Sequence, residues 1–414
     1  MSYLFKNRVF WAIKLISILG FILVINSCSD KKSERTIKFW HFWSEPNQRI
    51  IMNDLIKKFE EENDCKVEVA ELSWNDGKTK LLAAFNSKTA PDVLELGSDW
   101  IAQFSSARVL EEFNKDSMEL SKFIEFSLEP CIWNGKYFAA PFVVDTRVLF
   151  YNKDLMKQAG LDETPPQTFE QLLTYSEKIS QISGKYGWGA NTSDPHRLYK
   201  KIIPFFWSYG GSIFDENGNP VVNSLSNINT LNMYLSLART GFIETQKLID
   251  ASFVEGKIGF WFSGGWLIDK IKKENPNLNF DVSQFPGKSD YGISFAGGEY
   301  FAVSKQSEKK ELAKKFIKYM TDGKTAIKFC KTVIEAGFPA DKNYYNSKDL
   351  VNSTYKAMFA KQLSSSKMTP VHPKWLEVEA IIENATVEAM YGRKNSTAAL
   401  NDAQFEIINL MNKK

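Results

Sequence analysis

Histidine and cysteine are scarce in this chain, three and four residues among 414. His41, His196 and His372 stand far apart, and no H-E-x-x-H or comparable spacing joins them. Structural or incidental roles are expected for each. Beyond Cys28, the cysteines are Cys65, Cys131 and Cys330, an odd number without close spacing. They define neither a disulfide framework nor a metal motif. One bridge could form, but buried free thiols are the expectation. A dominant charge is also lacking. The formal net charge is +3, so no basic surface suited to nucleic acid is implied.

Complete catalytic or cofactor motifs are missing as well. Asp322-Gly323-Lys324-Thr325 resembles the tail of a phosphate-binding loop, but Lys318 stands where the first glycine is needed. It reads as a helix break. Asp215-x-Asn217-x-Asn219 imitates a calcium loop, yet Gly218 is misplaced and no glutamate closes it, so a turn is expected. No G-x-S-x-G elbow occurs. No cofactor and no metal are implied.

The longest apolar run is short. Lys6 and Arg8 precede Leu15 to Ile25, which reads as a secretory signal over residues 1–27, too short for a span and interrupted by Lys14. Ile25-Asn26-Ser27-Cys28 resembles a lipobox, in which Cys28 is lipidated and becomes the mature N-terminus. Asn26 departs from the small residue usual there, and an uncleaved anchor is the alternative. Both place the body outside the cytoplasm. Residues 28–35 then form a polar tether.

Aromatics, by contrast, are plentiful: eleven Trp and fifteen Tyr, more than packing alone requires. Their flat apolar faces with one polar handle suit amphipathic ligands. The length calls for two lobes. Thr36 to Trp43 reads as a buried strand, and Ile50, Ile51, Leu55, Ile56 and Phe59 follow at helical spacing. "CKVEVAEL", "TKLLAAF", "PDVLEL" and "DWIAQFSSARVLEEF" continue the alternation as strand, helix, strand and helix. "YFAAPFVVDTRVLFYN" reads as one long extended stretch, Thr168 to Gln171 as a capping box, and "GISFAGGEYFAVSK" as strand–turn–strand. The chain is mostly helical after Lys309. An α/β class with parallel strands follows.

Five segments together resemble the extracellular solute-binding proteins of bacterial ABC importers, in the carbohydrate-binding branch that includes maltodextrin-binding proteins. They are "IKFWHFWSEPNQRIIMNDLIKKFEEEN", "APDVLELGSDWIAQFSSARVLEEF", "GKYFAAPFVVDTRVLFYNKDLMKQAGL", "FVEGKIGFWFSGGW" and "GGEYFAVSKQSEKKELAKKFIKYMTD". The similarity runs over the whole chain after the tether. It implies a two-lobe periplasmic-binding-protein-like α/β fold with a helical C-terminal region. Three hinge crossovers fall near Asp145, Phe285 and Thr321. Lobe 1 would take 36–144 plus 286–320, and lobe 2 would take 145–285 plus 321–414. The ligand, a sugar or oligosaccharide, would lie between them. The partners implied are ABC permease subunits and a membrane reached through the N-terminal lipid, at the periplasm or cell surface. A monomer without enzymatic activity is expected.

The resemblance also carries candidate ligand contacts. Gly264 and Gly265 would turn the chain so that Trp266 presents its face to a sugar ring; packing in the core is the other reading, and is preferred for Trp261. Ser44 and Glu45 follow the first strand, with Trp43 facing either cleft or core. Asp99 and Trp100 follow the third strand, with a helix N-cap as the alternative for Asp99. Asp145 lies at the first crossover, where a hinge salt bridge competes. Gly298, Glu299 and Tyr300 form the expected turn, Gly298 offering an amide. Trp207 and Trp375 are aromatic walls or packing, and Trp74 is a weaker candidate. Two other functions stay open: a binder of phosphorylated polyols, which would need cations or a helix N-terminus in the site, and a secreted glycoside hydrolase using a pair among Asp92, Glu95 and Asp99. A chemoreceptor partner or surface scaffold is a third.

Overall fold

The computed structural model describes residues 35–413 except 75 and 352. The signal, Cys28 and nearly all of the tether lie outside the described residues. Contacts divide the chain into two units. One runs up to Leu94 and resumes over Val303–Tyr319; the other comprises Glu95–Ala302 and Met320–Lys414.

The first unit begins with β1 (Thr36–His41), then α1 (Pro46–Asn63), β2 (Lys66–Glu71), α2 (Gly77–Asn86) and the start of β3 (Val93–Gly97). β1 is parallel to β2 from Thr36↔Lys66 to His41↔Glu71, and parallel to β3 at Phe39↔Val93 and Trp40↔Leu94. Such pairing needs crossover helices, which α1 and α2 supply. Pro46 suits the first turn of α1, where its missing N–H costs nothing. Met52, Leu55, Ile56 and Phe59 form its buried stripe. Phe39 of β1 and Phe59 of α1 both meet Phe316, from the helix Lys310–Met320, edge-on at 5.1 and 5.0 Å. Each buried phenyl contributes roughly 1.5–3 kcal/mol.

In the second unit, α3 (Ile101–Ser106) is shorter than the expected helix. Arg108 adopts a left-handed φ of 60°, which a continuing helix does not tolerate. The expected long extended stretch is two strands, β4 (Ala140–Thr146) and β5 (Val148–Asn152), in different sheets. Next come α4 (Phe169–Ser180), β6 (Tyr186–Asn191), α5 (Tyr199–Ser208), α6 (Leu225–Arg239), β7 (Gly241–Glu244), α7 (Gln246–Val254), β8 (Ile258–Ser263), α8 (Trp266–Glu274) and β9 (Phe280–Ser283). The capping box of α4 is present: Gln171 N–H donates to Thr168 Oγ1 at 3.2 Å, and Thr168 N–H to Gln171 Oε1 at 3.3 Å. A five-stranded sheet has the order β9-β5-β8-β6-β7. β8 is antiparallel to β5 and parallel to β6. Trp188, Trp261, Phe260 and Phe262 on these strands are buried.

β10 (Ser294–Val303) corrects the strand–turn–strand expectation. It is one strand antiparallel to β4, with a bulge between Glu299 and Tyr300, so Gly298, Glu299 and Tyr300 do not form a turn. The chain ends through α9 (Gly323–Thr332), β11 (Phe338–Pro339), α10 (Thr354–Leu363), β12 (Ser366–Lys367), α11 (Trp375–Met390) and α12 (Ser396–Asn412). Asp322 is the N-cap of α9, accepting from Lys324 N–H at 3.0 Å. Asp215 closes a turn, accepting from the amides of Asn217 at 2.9 Å and Asn219 at 2.7 Å.

Cys65, Cys131 and Cys330 are free and buried. Burial pushes all three thiols above their ordinary range, Cys330 to about 12. A thiol reagent at neutral pH is therefore expected to leave them unmodified in the native chain and to label all three after unfolding. Rapid labelling of the native chain, read by mass spectrometry, would contradict the packing.

Candidate functional site

The densest group of sequence-predicted site residues lies in the second unit, and its geometry starts where β4 passes to β5. Arg147 occupies the junction and is 8% exposed. Its Nη1 pairs with the carboxylate of Asp145 and donates to the carbonyl of Thr146 at 3.2 Å. Its guanidinium lies 4.6 Å from the ring centroid of Trp266 and 5.5 Å from that of Phe295. A cation over an aromatic face is stabilised by the ring quadrupole. Asp145 thus has its ion pair, and the same guanidinium joins it to Trp266.

Trp266 opens α8 and is half-buried. Its Nε1 donates to Asp250 Oδ2 at 3.0 Å. The other oxygen of Asp250 accepts from Trp261 Nε1 at 2.7 Å and Ser263 Oγ at 3.3 Å. The two glycines before Trp266 are not there for a special backbone conformation. Gly265 has φ −59°, and Gly264 is not among the residues with positive φ. Gly264 is required by space: a methyl group on it would overlap the Trp266 ring, which packs directly on the backbone.

Glu299 sits on β10 opposite Val143 of β4. Its Oε2 is buried without a hydrogen-bond partner. Burial raises its pKa well above the carboxylate range, and the nearby Glu95, Asp145 and Asp99 raise it further. A second oxygen acid, Asp99, accepts from the Tyr199 hydroxyl at 3.1 Å. Asp99 is not the N-cap of α3, whose cap position is Trp100. Tyr199 is buried and meets Trp375 edge-on at 5.9 Å. Two glutamates one turn apart on α11 hold the start of α5. Glu379 pairs with His196 Nδ1, and Glu383 accepts from Tyr199 N–H at 3.1 Å. Burial lifts Glu379 to about 7 although the His196 bond opposes it, and that bond raises His196.

Asp99, Asp145, Gly264, Trp266 and Glu299 are therefore brought together, whereas Trp375 is fully buried in the same core as Trp207 and packs behind Tyr199 rather than forming an aromatic wall. Gly298 lies beside this group, accepting from Ser98 N–H at 3.2 Å. Three others do not join. Tyr300 is fully buried with its hydroxyl 3.5 Å from the Met368 sulfur, Trp207 belongs to the core around Phe285, and Trp100 is buried. In the first unit, Trp43 is buried and its backbone N–H donates to His41 Nδ1 at 3.2 Å. Burial lowers His41 to about 4, which keeps that ring a neutral acceptor. Ser44 is half-buried and Glu45 exposed at the start of α1, the Glu45 N–H donating to Gln48 Oε1 at 3.0 Å. Trp74 is 44% exposed and stacks on Phe42 at 4.1 Å.

Sequence reasoning missed Arg147, Tyr199, Lys201 and Asp250. Lys201 had a signal: a lysine within the apolar face "KKIIPFFW". It is buried, donates to the Phe262 carbonyl at 2.7 Å and lies 4.6 Å from the Trp261 centroid. Burial drives its pKa well below the usual lysine range, and Arg147 adds to the effect.

A half-buried indole beside carboxylates, with hydroxyl and guanidinium donors between them, makes a group suited to hydrogen bonding and ring stacking. The chain belongs to the bacterial extracellular solute-binding protein family, whose model matches residues 45–326. Its place of action is accordingly outside the cytoplasm. The galactooligosaccharide-binding protein of Bacillus subtilis is 26% identical over 395 residues, covering 91% of this chain and 89% of that protein. The maltodextrin-binding protein MdxE of the same organism is 25% identical over 376 residues, 87% of each. Among solved structures, the GacH receptor of Streptomyces glaucescens superposes with a TM-score of 0.81 at 20% identity, covering 91% of this chain and 98% of that one. The ABC substrate-binding protein Lmo0181 of Listeria monocytogenes, solved with cycloalternan, gives 0.78 at 22% identity over 92% and 99%. The fold is that of these binding proteins.

Two outcomes are expected from the site geometry. Gly264→Ala should cost about 1–3 kcal/mol of stability by overpacking against Trp266, measured by chemical denaturation. For Glu379, the folded chain keeps a proton that the unfolded chain loses above its ordinary 4.5, up to about 7. This contribution is complete at low pH and disappears as pH rises through that window; the raised His196 acts in the same direction. Glu379→Gln should therefore show a smaller fall in melting temperature from about pH 5 to about pH 8 than the unmodified chain.

Proposed function

We propose that the protein captures a neutral sugar or oligosaccharide for an ABC importer and hands it unaltered to the permease. The observation that carries this reading is the linked group of Trp266, Asp145, Glu299 and Asp99, in a chain aligned over most of its length with oligosaccharide-binding relatives. Sugar C–H faces stack on indole, while ring hydroxyls donate to carboxylates and accept from protonated ones. Asp145 and Asp99 serve as acceptors. Glu299, held toward its neutral form, supplies a donor.

In this reading Gly298 lies on the same surface as the linked group, with Gly264 beneath the Trp266 ring and the buried Trp375 behind Tyr199. Trp43, Ser44, Glu45 and Trp74 of the first unit are kept as ligand-contact candidates, and Trp100, Trp207 and Tyr300 pack beneath the surface of the second unit. The lobes run over 36–144 with 286–320 and over 145–285 with 321–414. Residues 1–27 are removed, Cys28 carries the lipid that anchors the chain to the membrane, and the protein acts as a monomer. It performs no chemistry on its cargo.

A thermal-shift screen against neutral oligosaccharides tests the reading. Ligand at about 100 times its Kd adds about 2.7 kcal/mol of stability. Trp266→Ala should abolish the shift. Absence of any shift across the panel, or release of shorter sugars from an oligosaccharide during incubation, would end the proposal.

A further inference from the structure

Trp266 is only half-buried, yet its orientation is settled from the edge as well as from the face. The edge contact leads into the core. Asp250 on α7 is 5% exposed, and its two carboxylate oxygens serve different clients. Oδ1 accepts from Trp261 Nε1 at 2.7 Å and from Ser263 Oγ at 3.3 Å; Oδ2 accepts from Trp266 Nε1 at 3.0 Å. Trp261 is fully buried in β8, and Lys201 lies over its ring at 4.6 Å while donating to the carbonyl of Phe262. The anchor of Oδ1 therefore cannot turn. Because a carboxylate is planar and rigid, fixing Oδ1 fixes the place of Oδ2, and with it the direction of the Trp266 N–H.

We infer that Asp250 is a positioning residue: it transmits the rigidity of the buried Trp261 to Trp266 and so presets the indole face for the sugar. The inference rests on the reading of Trp266 as a sugar contact. A side chain already held in its bound rotamer loses no conformational freedom on binding, so the carboxylate raises affinity without touching the ligand. Burial raises the pKa of Asp250, while the three donors around it favour the ionised form. Those donors are arranged for a charged acceptor, which asparagine cannot replace because its amide nitrogen would face one of the two indole N–H groups.

The test uses the whole protein and the oligosaccharide that stabilises it most. If no sugar binds the unmodified chain, the sugar reading itself fails, and that result is distinct from any difference among variants. With a ligand in hand, affinities are measured by calorimetry for Asp250→Asn, Trp266→Phe and the double variant. Each single change is expected to weaken binding about three- to tenfold. The double variant should bind no more weakly than the weaker single, since both break the same link. Apo melting temperatures measured alongside separate this from general destabilisation. If Asp250→Asn does not fold, Trp261→Phe gives the second readout: the change is in the core, away from ligand, and still lowers affinity by removing the shorter of the two bonds that fix Oδ1. Unmodified affinity in Asp250→Asn or Trp261→Phe, or losses that multiply in the double variant, would overturn the inference.

Discussion

A buried guanidinium is the constraint from which the candidate site is built. Arginine does not shed its charge inside a protein, so Arg147 must be paired where it stands. Asp145 supplies the opposite charge, the Thr146 carbonyl takes a further donor, and Trp266 and Phe295 cover the cation with ring faces. Meeting these demands places Asp145 on β4 and Trp266 on α8 relative to one another. It also explains why the extended stretch breaks at this residue. β4 and β5 enter different sheets, and the arginine between them fills the junction with a group that can satisfy both polar and aromatic neighbours.

The crowding of acids beyond Arg147 follows a different logic. Burial first, and then the nearby charges of Glu95, Asp145 and Asp99, hold Glu299 toward its protonated form. The Tyr199 hydroxyl, whose ionisation is opposed chiefly by burial and then by Asp99, remains a donor to that acid. The group thus contains acceptors and donors together. A phosphate would meet carboxylates here, with Arg147 already committed to Asp145. A hydroxyl-rich neutral ligand, each of whose hydroxyls both donates and accepts, matches the mixture better.

Much of the fold was legible because it rests on local patterns. The period of α1, the capping box of α4 and the apolar run of β8 all announce themselves within a few residues. The errors cluster at glycines. Gly297-Gly298 reads as a turn because paired glycines usually punctuate strands. In β10 they continue the strand: a methyl group on Gly298 would crowd the Val143 carbonyl, and one on Gly297 the Asp145 side chain. Gly264 repeats the lesson, its missing side chain making room for an indole. A single sequence states that space is needed, but not what fills it. The site was partly legible for the same reason. Asp99, Asp145 and Trp266 stand at the ends of recognisable strands, whereas their supports come from distant positions. Tyr199 reaches Asp99 across a hundred residues, and Glu379 reaches His196 across 183. No periodicity connects such pairs.

These distant supports share one arrangement. Two of the proposed contacts are backed by a buried carboxylate on a helix behind them: Asp250 of α7 behind Trp266, and Glu383 of α11 behind the start of α5, from which Tyr199 holds Asp99. A solute-binding protein discriminates by how well a fixed surface matches one ligand over another. Fixed surfaces built on exposed aromatic and acidic side chains would wander among rotamers unless held. Placing the restraint one layer deeper removes freedom that binding would otherwise have to quench. Asp250 and Glu383 can do this because a carboxylate is short and planar and each accepts on both oxygens. Removing the donors from either oxygen would leave it desolvated and unsatisfied.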